Sequence, residues 1–307
     1  MNSKYLISIV GPTAIGKTAL SLKLANHFKT EILSADSRQF FKEMSIGTAA
    51  PTPSELALAK HHFIHHKSID DDYNVGTFER DAINLLDQLF KKYDVIIMVG
   101  GSGLYVDAVI NGLDDFPAID TNIRESLNIK LDAKGLEALQ QQLKELDQKS
   151  YDTIAINNPH RIIRALEVTL GTGKPYSSYL NKKKTLRCFK SIMIGLTADR
   201  KTIYDRINRR VDEMMQNGLL KEVENLLPNK HLNALNTVGY KELFHYFDGE
   251  WSLEFAISEI KKNSRRFAKR QLTWYRKNEG VIWFEYDSDI KDILNIVNKR
   301  ILEDENN

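Results

Sequence analysis

The sequence predicts an α/β protein: a P-loop NTPase-like parallel sheet core flanked by helices, with a helical insertion domain. Three observations carry this. Short β-branched runs alternate with longer stretches of helical period, the arrangement of a parallel sheet covered on both faces. The first run leads straight into a glycine-bounded phosphate cradle, G-P-T-A-I-G-K-T, which in turn opens a helix-like stretch. Between Gly112 and Arg187 the β-runs largely stop, and apolar residues recur at helical spacing instead.

The elements follow in order. Tyr5–Val10 reads as the first strand, and residues 11–18 as the cradle. Thr18, Leu20, Leu22, Leu24 and Ala25 then begin a helix. Further strands are expected at Ile32–Ser34, Val95–Val99, 192–196 and 281–286. In the insertion, "ESLNIKLDAKGLEALQQQLKELD" and "NPHRIIRALEVTL" have helical spacing, and "GTGKP" breaks the pattern after Leu170. The core is therefore read as residues 1–112 and 188–307, and the insertion as 113–187. In the last long helix Ala256, Ile260, Ser264, Phe267, Gln271 and Trp274 recur at three- and four-residue steps and form the expected packing face. "EDENN" reads as a frayed tail.

Composition narrows the function classes. With 42% hydrophobic and 27% charged residues over 307 positions, the chain is an ordinary soluble globular one with a substantial core. Its net charge of +2 is no polycation, so a nucleic-acid site requires local clustering of basic residues. One cysteine, Cys188, excludes an intramolecular disulfide framework and suits a reducing compartment. No apolar run spans a bilayer, and the N-terminus leads directly into the cradle without a signal peptide. A cytoplasmic protein without membrane contact is expected.

The cradle has a definite chemistry. Gly11 and Gly16 let the backbone through Pro12, Thr13, Ala14 and Ile15 wrap so that successive N–H groups face phosphate oxygens. The helix N-terminus adds its positive end. Lys17 supplies an ammonium, and the Thr18 hydroxyl is placed to ligate Mg²⁺. Phosphoryl-transfer proteins of this type end a second strand in an acid that holds the metal. In "DVIIMVGGSGLY" Asp94 stands at the start and glycines at the end, so that acid is missing. Asp36 instead follows the strand Ile32–Ser34, where it projects into the crevice of the cradle as a metal ligand or a general base.

Six segments, "GPTAIGKT", "SADSRQFF", "GGSGLY", "RVDEMMQNGLLKEVENL", "TVGYKEL" and "AKRQLTWYR", resemble in order and spacing the tRNA dimethylallyltransferases, also called tRNA isopentenyltransferases. The resemblance spans 11–276. It implies transfer of a dimethylallyl group from dimethylallyl diphosphate to N6 of adenine-37, immediately 3′ of the anticodon in tRNA. The products are N6-isopentenyladenosine and pyrophosphate, so the cradled phosphates depart rather than being transferred. The residues 11–18 then hold the diphosphate, Mg²⁺ is the implied cofactor, and Thr18 is its assigned ligand. Similarity to the family's D-S-x-Q element nominates Asp36 as the base, with Ser37 and Gln39 reading the target base and Arg38 between them on the RNA side. Ser102, where the family commonly has threonine, would orient the reacting groups. Arg210 matches an arginine expected at the diphosphate; Arg206, on the same helical face, reads as a solvated arginine.

The tRNA anticodon stem-loop is the implied partner, and the chain is expected to act as a monomer. Arg161 and Arg164 match a Q-R-x-x-R-A element, with His160 in the glutamine position, and Arg124 resembles another position near the RNA. Lys261, Lys262, Arg265, Arg266, Lys269 and Arg270 place six basic residues within ten positions, a concentration suited to RNA phosphates. Of these Arg265, Arg266, Lys269 and Arg270 are assigned to tRNA. Lys182, Lys183, Lys184 and Arg187 form a second basic group.

Some features point elsewhere. His61, His62, His65 and His66 contain two i,i+4 pairs, yet no cysteine or H-E-x-x-H glutamate supports a metal site there. His65 also stands where the resembled family has aspartate. Phe267, Trp274 and Tyr275 read as core. The alternatives are a nucleotide or small-molecule kinase, which requires an acid after Val99, and a non-catalytic RNA-binding protein, which predicts binding without base modification.

Overall fold

The structure, a computed structural model, describes residues 3–180 and 186–305. Lys182, Lys183 and Lys184 of the second basic group lie outside the described residues, as do the last two residues of the acidic tail. Two compact units are present: Met1–Asn111 with Arg187–Asn307, and Gly112–Leu186.

The first unit is built on six parallel strands: β1 (Tyr5–Val10), β2 (Ile32–Ser34), β3 (His61–His62), β4 (Val95–Val99), β5 (Lys190–Thr197) and β6 (Val281–Glu285). They lie in the order β3-β2-β4-β1-β5-β6. The central strand β1 is buried throughout because both its faces are covered. Side chains alternate across it: Leu6 and Val10 join one cluster with Phe78, Leu86 and Met98, whereas Ile7 and Ile9 join another with Leu24, Ile97 and Ile203. β3 was not expected from the sequence. Its two residues pair with Ile32 and Leu33, too short a run to show any periodicity.

The helices of this unit are α1 (Lys17–Phe28), α2 (Pro53–Leu58), α3 (Val75–Leu89) and α4 (Gly103–Asn111), which precede the second unit. The second unit holds α5 (Thr121–Leu146), α6 (Gln148–Thr153) and α7 (Pro159–Thr172) around Leu127, Leu139, Leu143, Ile162 and Leu166. Gly135, at φ 74°, interrupts α5. After β5 come α8 (Arg200–Gln216), α9 (Leu219–Asn225), α10 (Tyr240–Phe247), α11 (Leu253–Tyr275) and, after β6, α12 (Ile290–Glu305). α8 to α11 share a third cluster that includes Met214, Val223, Tyr240, Leu243 and Ile260.

The packing face of α11 differs from the expected one. Ala256, Ile260, Ala268, Gln271 and Tyr275 are buried, whereas Phe267 and Trp274 are 37% and 39% exposed. A step of four residues from Ser264 reaches Ala268, so Phe267 and Trp274 fall one position off the buried stripe. Tyr275 is core as expected. Trp274 is held at the surface by its indole N–H, which donates to Asp107 at 2.9 Å.

Candidate active site

Parallel strands bring their carboxyl ends to one edge of the sheet, where the cradle, Asp36 and the Gly100–Gly101 turn meet. The cradle follows β1 and needs its glycines. Gly11 sits at φ 138°, and a Cβ there would lie 2.5 Å from the Leu196 carbonyl. Gly16, at φ 109°, turns the chain into α1. Ala14 adopts φ 64° between them.

A cavity of about 820 Å³ opens over this edge. Its lining includes cradle residues 13–18 with Asp36, Gly101, Arg210 and Gln271. Ile46, Ala49, Leu56, Ile64 and Met214 add apolar surface. A site with both kinds of lining can take a ligand that joins an anion to an apolar group.

Cations gather around the cradle. Lys17 Nζ donates to the carbonyls of Gly11 at 3.1 Å and Pro12 at 2.7 Å. Burial pushes this ammonium down to about 7, with the Arg210 charge acting in the same direction and Asp36 opposing. Arg210 donates to the Thr13 hydroxyl and is also lowered by burial, with Asp36 and Glu213 opposing. Arg206 is not the solvated arginine expected: its Nε donates to the Ala14 carbonyl at 2.8 Å, and its guanidinium lies 5.0 Å over the Tyr286 ring. Helix α8 thus presents two arginines to the cradle, one turn apart.

Asp36 accepts the Arg38 N–H on Oδ1 at 3.1 Å. The Ser37 N–H donates to Ser102 Oγ at 3.1 Å, and the two hydroxyl oxygens are also 3.1 Å apart. Gln39 lines the cavity, but its amide is engaged: Nε2 donates to the Thr48 and Ala49 carbonyls, and Oε1 accepts from Ser34. Arg38 donates to the carbonyls of Asn233 and Ala234 at 3.0 and 2.8 Å, bracing that loop.

The IPP transferase family model matches residues 39–278. This chain belongs to the IPP transferase family. The match begins beyond the cradle, but full-length relatives include it. The tRNA dimethylallyltransferase of Christiangramia forsetii is 61% identical over 299 residues, covering 97% of this chain and 99% of that one. That of Flavobacterium johnsoniae is 58% identical over 300 residues, covering 96% and 97%. Among solved structures, the full-length tRNA isopentenylpyrophosphate transferase of Bacillus halodurans is similar at TM-score 0.73 and 38% identity, covering 98% of this chain and 97% of that one.

Two further residues shape this site without standing out in the sequence. Gln271 is 5% exposed; its Oε1 accepts the Thr13 N–H at 2.8 Å and its Nε2 donates to the Gly101 carbonyl at 2.9 Å. An amide on an otherwise apolar helix face was the available signal, since buried polar groups find partners. Glu222 accepts the N–H groups of Ser45, Ile46 and Gly47 at 3.0, 2.8 and 2.9 Å, and the Tyr240 hydroxyl at 2.6 Å. It fixes the loop that carries Ile46 into the cavity.

The basic residues of the transferase divide by partner. On α11, Lys261 pairs with Asp212 at 2.6 Å, Lys262 with Glu259 at 2.8 Å, and Arg265 donates to Asn208 at 2.8 Å. Arg266, Lys269 and Arg270 are exposed. Within the second unit, Arg124 makes a two-pronged contact with Glu167 at 3.0 and 2.8 Å, and Arg164 reaches the same carboxylate at 2.9 Å. These guanidiniums hold the largely buried Glu167 below the usual carboxylate range. His160 and Arg161 are exposed at the start of α7.

The histidine cluster is dispersed among separate partners. His62 bonds Glu31 at 2.5 Å, His61 the Ala59 carbonyl at 2.8 Å, and His65 the Ser45 hydroxyl at 3.3 Å. His66 packs edge-on to Phe40, Phe63 and Tyr73, and burial pushes it down to about 4. Among the described residues no three His, Cys, Asp or Glu side chains converge as a metal site. None of the described helices is long and apolar enough to cross a membrane.

Proposed function

We propose that this chain transfers the dimethylallyl group of dimethylallyl diphosphate to N6 of adenine-37 in tRNA, releasing pyrophosphate. The observation that carries the reading is one cavity lined together by the anion cradle, the Asp36 carboxylate and apolar side chains. The cradle N–H groups, Lys17, Arg206 and Arg210 take up the charge that develops as the carbon–oxygen bond breaks. The apolar wall receives the five-carbon group and excludes water from its reacting carbon. As the new carbon–nitrogen bond forms, Asp36 accepts the N6 proton. Ser102 orients the segment of Asp36 through its bonds to Ser37.

Were Mg²⁺ to accompany the donor, the Thr18 hydroxyl at the end of the cradle would help to hold it beside the diphosphate. It would neutralise charge on the leaving diphosphate. For tRNA, the exposed His160, Arg161, Arg266, Lys269 and Arg270 are the direct contacts we favour. Arg124, Arg164 and Arg265 act partly through the carboxylate and amide that they hold. An unpaired anticodon-loop base is readily turned out into such a crevice.

Incubating the protein with unmodified tRNA, Mg²⁺ and dimethylallyl diphosphate should yield isopentenyladenosine on mass spectrometry of the nucleosides. Its absence with folded protein, or phosphoryl transfer from ATP to a small acceptor in its place, would overturn the reading.

A further inference from the structure

Gln271 joins two loops that the proposed reaction must keep in register. Its Thr13 partner belongs to the cradle and carries Arg210 on its hydroxyl. Its Gly101 partner precedes Ser102, which binds the Ser37 N–H next to Asp36. A path of bonded or adjacent residues therefore runs from Arg210 through Thr13, Gln271, Gly101, Ser102 and Ser37 to Asp36. A Cβ at Gly101 would overlap the Gln271 amide and approach Asp36 Oδ2 to 3.8 Å. The absence of a side chain at 101 is what admits Gln271.

The amide is chemically specific. One planar group donates to a carbonyl and accepts from an N–H, and these two partners fix which end is oxygen. A leucine of similar size would fill the space on α11 without the desolvation that a buried amide incurs. Filling space alone does not call for this side chain.

We propose that Gln271 is a positioning residue that sets the separation between the diphosphate grip and Asp36. The inference rests on the dimethylallyl-transfer reading above. It predicts an effect on the chemical step, because neither bond of Gln271 touches the RNA face of α11.

The test compares wild-type enzyme with Gln271→Leu and Gln271→Glu in steady-state assays of isopentenyladenosine formation. Gln271→Leu should lower kcat by about 10²-fold, the scale of a misplacement near 1 Å, with the KM for tRNA unchanged. Gln271→Glu keeps the shape and the acceptor but loses the donor once its carboxyl ionises facing the Gly101 carbonyl, with Asp36, Lys17 and Arg210 the charged groups that line the same cavity. Its kcat relative to wild type should therefore be highest at the lowest pH and fall as pH rises. A Gln271→Leu enzyme within about threefold of wild-type kcat overturns the proposal. So does a Gln271→Glu to wild-type ratio that is flat with pH, which decides the matter even where the leucine variant does not fold. Wild-type enzyme that makes no isopentenyladenosine overturns the dimethylallyl-transfer reading instead.

Discussion

Binding of the donor diphosphate is expected to draw a proton onto Lys17. Burial, reinforced by Arg210, holds the free ammonium at about 7, although Lys17 lies in an anion cradle. A diphosphate bound there supplies the opposite charge and pulls the group back towards its ordinary range. Well below pH 7 the lysine is already charged and costs binding nothing. Above it, each pH unit adds one decade of cost for protonating the lysine, about 1.4 kcal/mol. Half the lysines are charged at pH 7 and only about 3% at pH 8.5, so donor affinity should fall roughly fifteenfold between these values. The donor's own last ionisation, near pH 6, lies below this window.

Calorimetric titration with dimethylallyl diphosphate, in two buffers of different ionisation enthalpy, measures both quantities. Proton uptake should rise from about 0.5 at pH 7 to nearly one at pH 8.5. Lys17→Met should bind more weakly at pH 7 and lose the pH dependence. Equal affinities at the two pH values, together with heats independent of buffer, would refute the reasoning.

Asp36→Asn should reduce turnover by about 10²- to 10⁴-fold while calorimetric donor affinity holds; near-normal turnover would remove Asp36 as the base. Glu222→Ala leaves three backbone N–H groups and the Tyr240 hydroxyl without their acceptor, so the urea midpoint should drop by the equivalent of about 3 kcal/mol. A midpoint equal to wild type would show that solvent satisfies that loop. Replacing Arg266, Lys269 and Arg270 together by Gln should weaken tRNA binding and flatten its logarithmic salt dependence by about two to three units, with the donor KM unchanged; an unaltered slope would take the RNA off this face. Glu167 is held low by Arg124 and Arg164, so its contribution to stability is full above its ordinary value of 4.5 and is lost as pH falls through the lowered one. Thermal melts below pH 4.5 should show that loss in wild type and not in Glu167→Gln.

Local rules made the cradle and the central strands legible. Tyr5–Val10 is apolar at every position but Ser8 because both faces of β1 are covered, and Gly11 and Gly16 mark backbone that other residues enter with difficulty. Tertiary placement decided what the sequence missed. β3 has only two residues, and its pairing with β2 is its sole signature. Arg206 and Arg210 share a helical face, but nothing local says that the cradle lies across from both of them. Gln39 sits in a recognisable element, yet its amide is taken by the carbonyls of Thr48 and Ala49 in the loop that follows, whose path no local pattern sets. Gln271 stood on a face read as packing, and only the two loops that it joins distinguish it from core.

The missing acid after β4 has a steric reason. A Cβ at Gly100 would overlap the Ala35 carbonyl, and one at Gly101 would overlap the Gln271 amide. No carboxylate fits at either position while β2 and β4 pair as they do. The close approach that excludes an acid there also brings Asp36, the residue after Ala35, into the lining of the cavity. An acid at the end of β4 would serve a metal between phosphates, as phosphoryl transfer requires. Moved to the neighbouring strand and tied to Ser102 through Ser37, a carboxylate is better suited to meeting a nucleophile across from the cradle. The contact of Gly100 with Ala35 therefore both leaves no room for the kinase-like acid at that position and sets the place of the neighbouring Asp36, the carboxylate proposed to serve alkyl transfer.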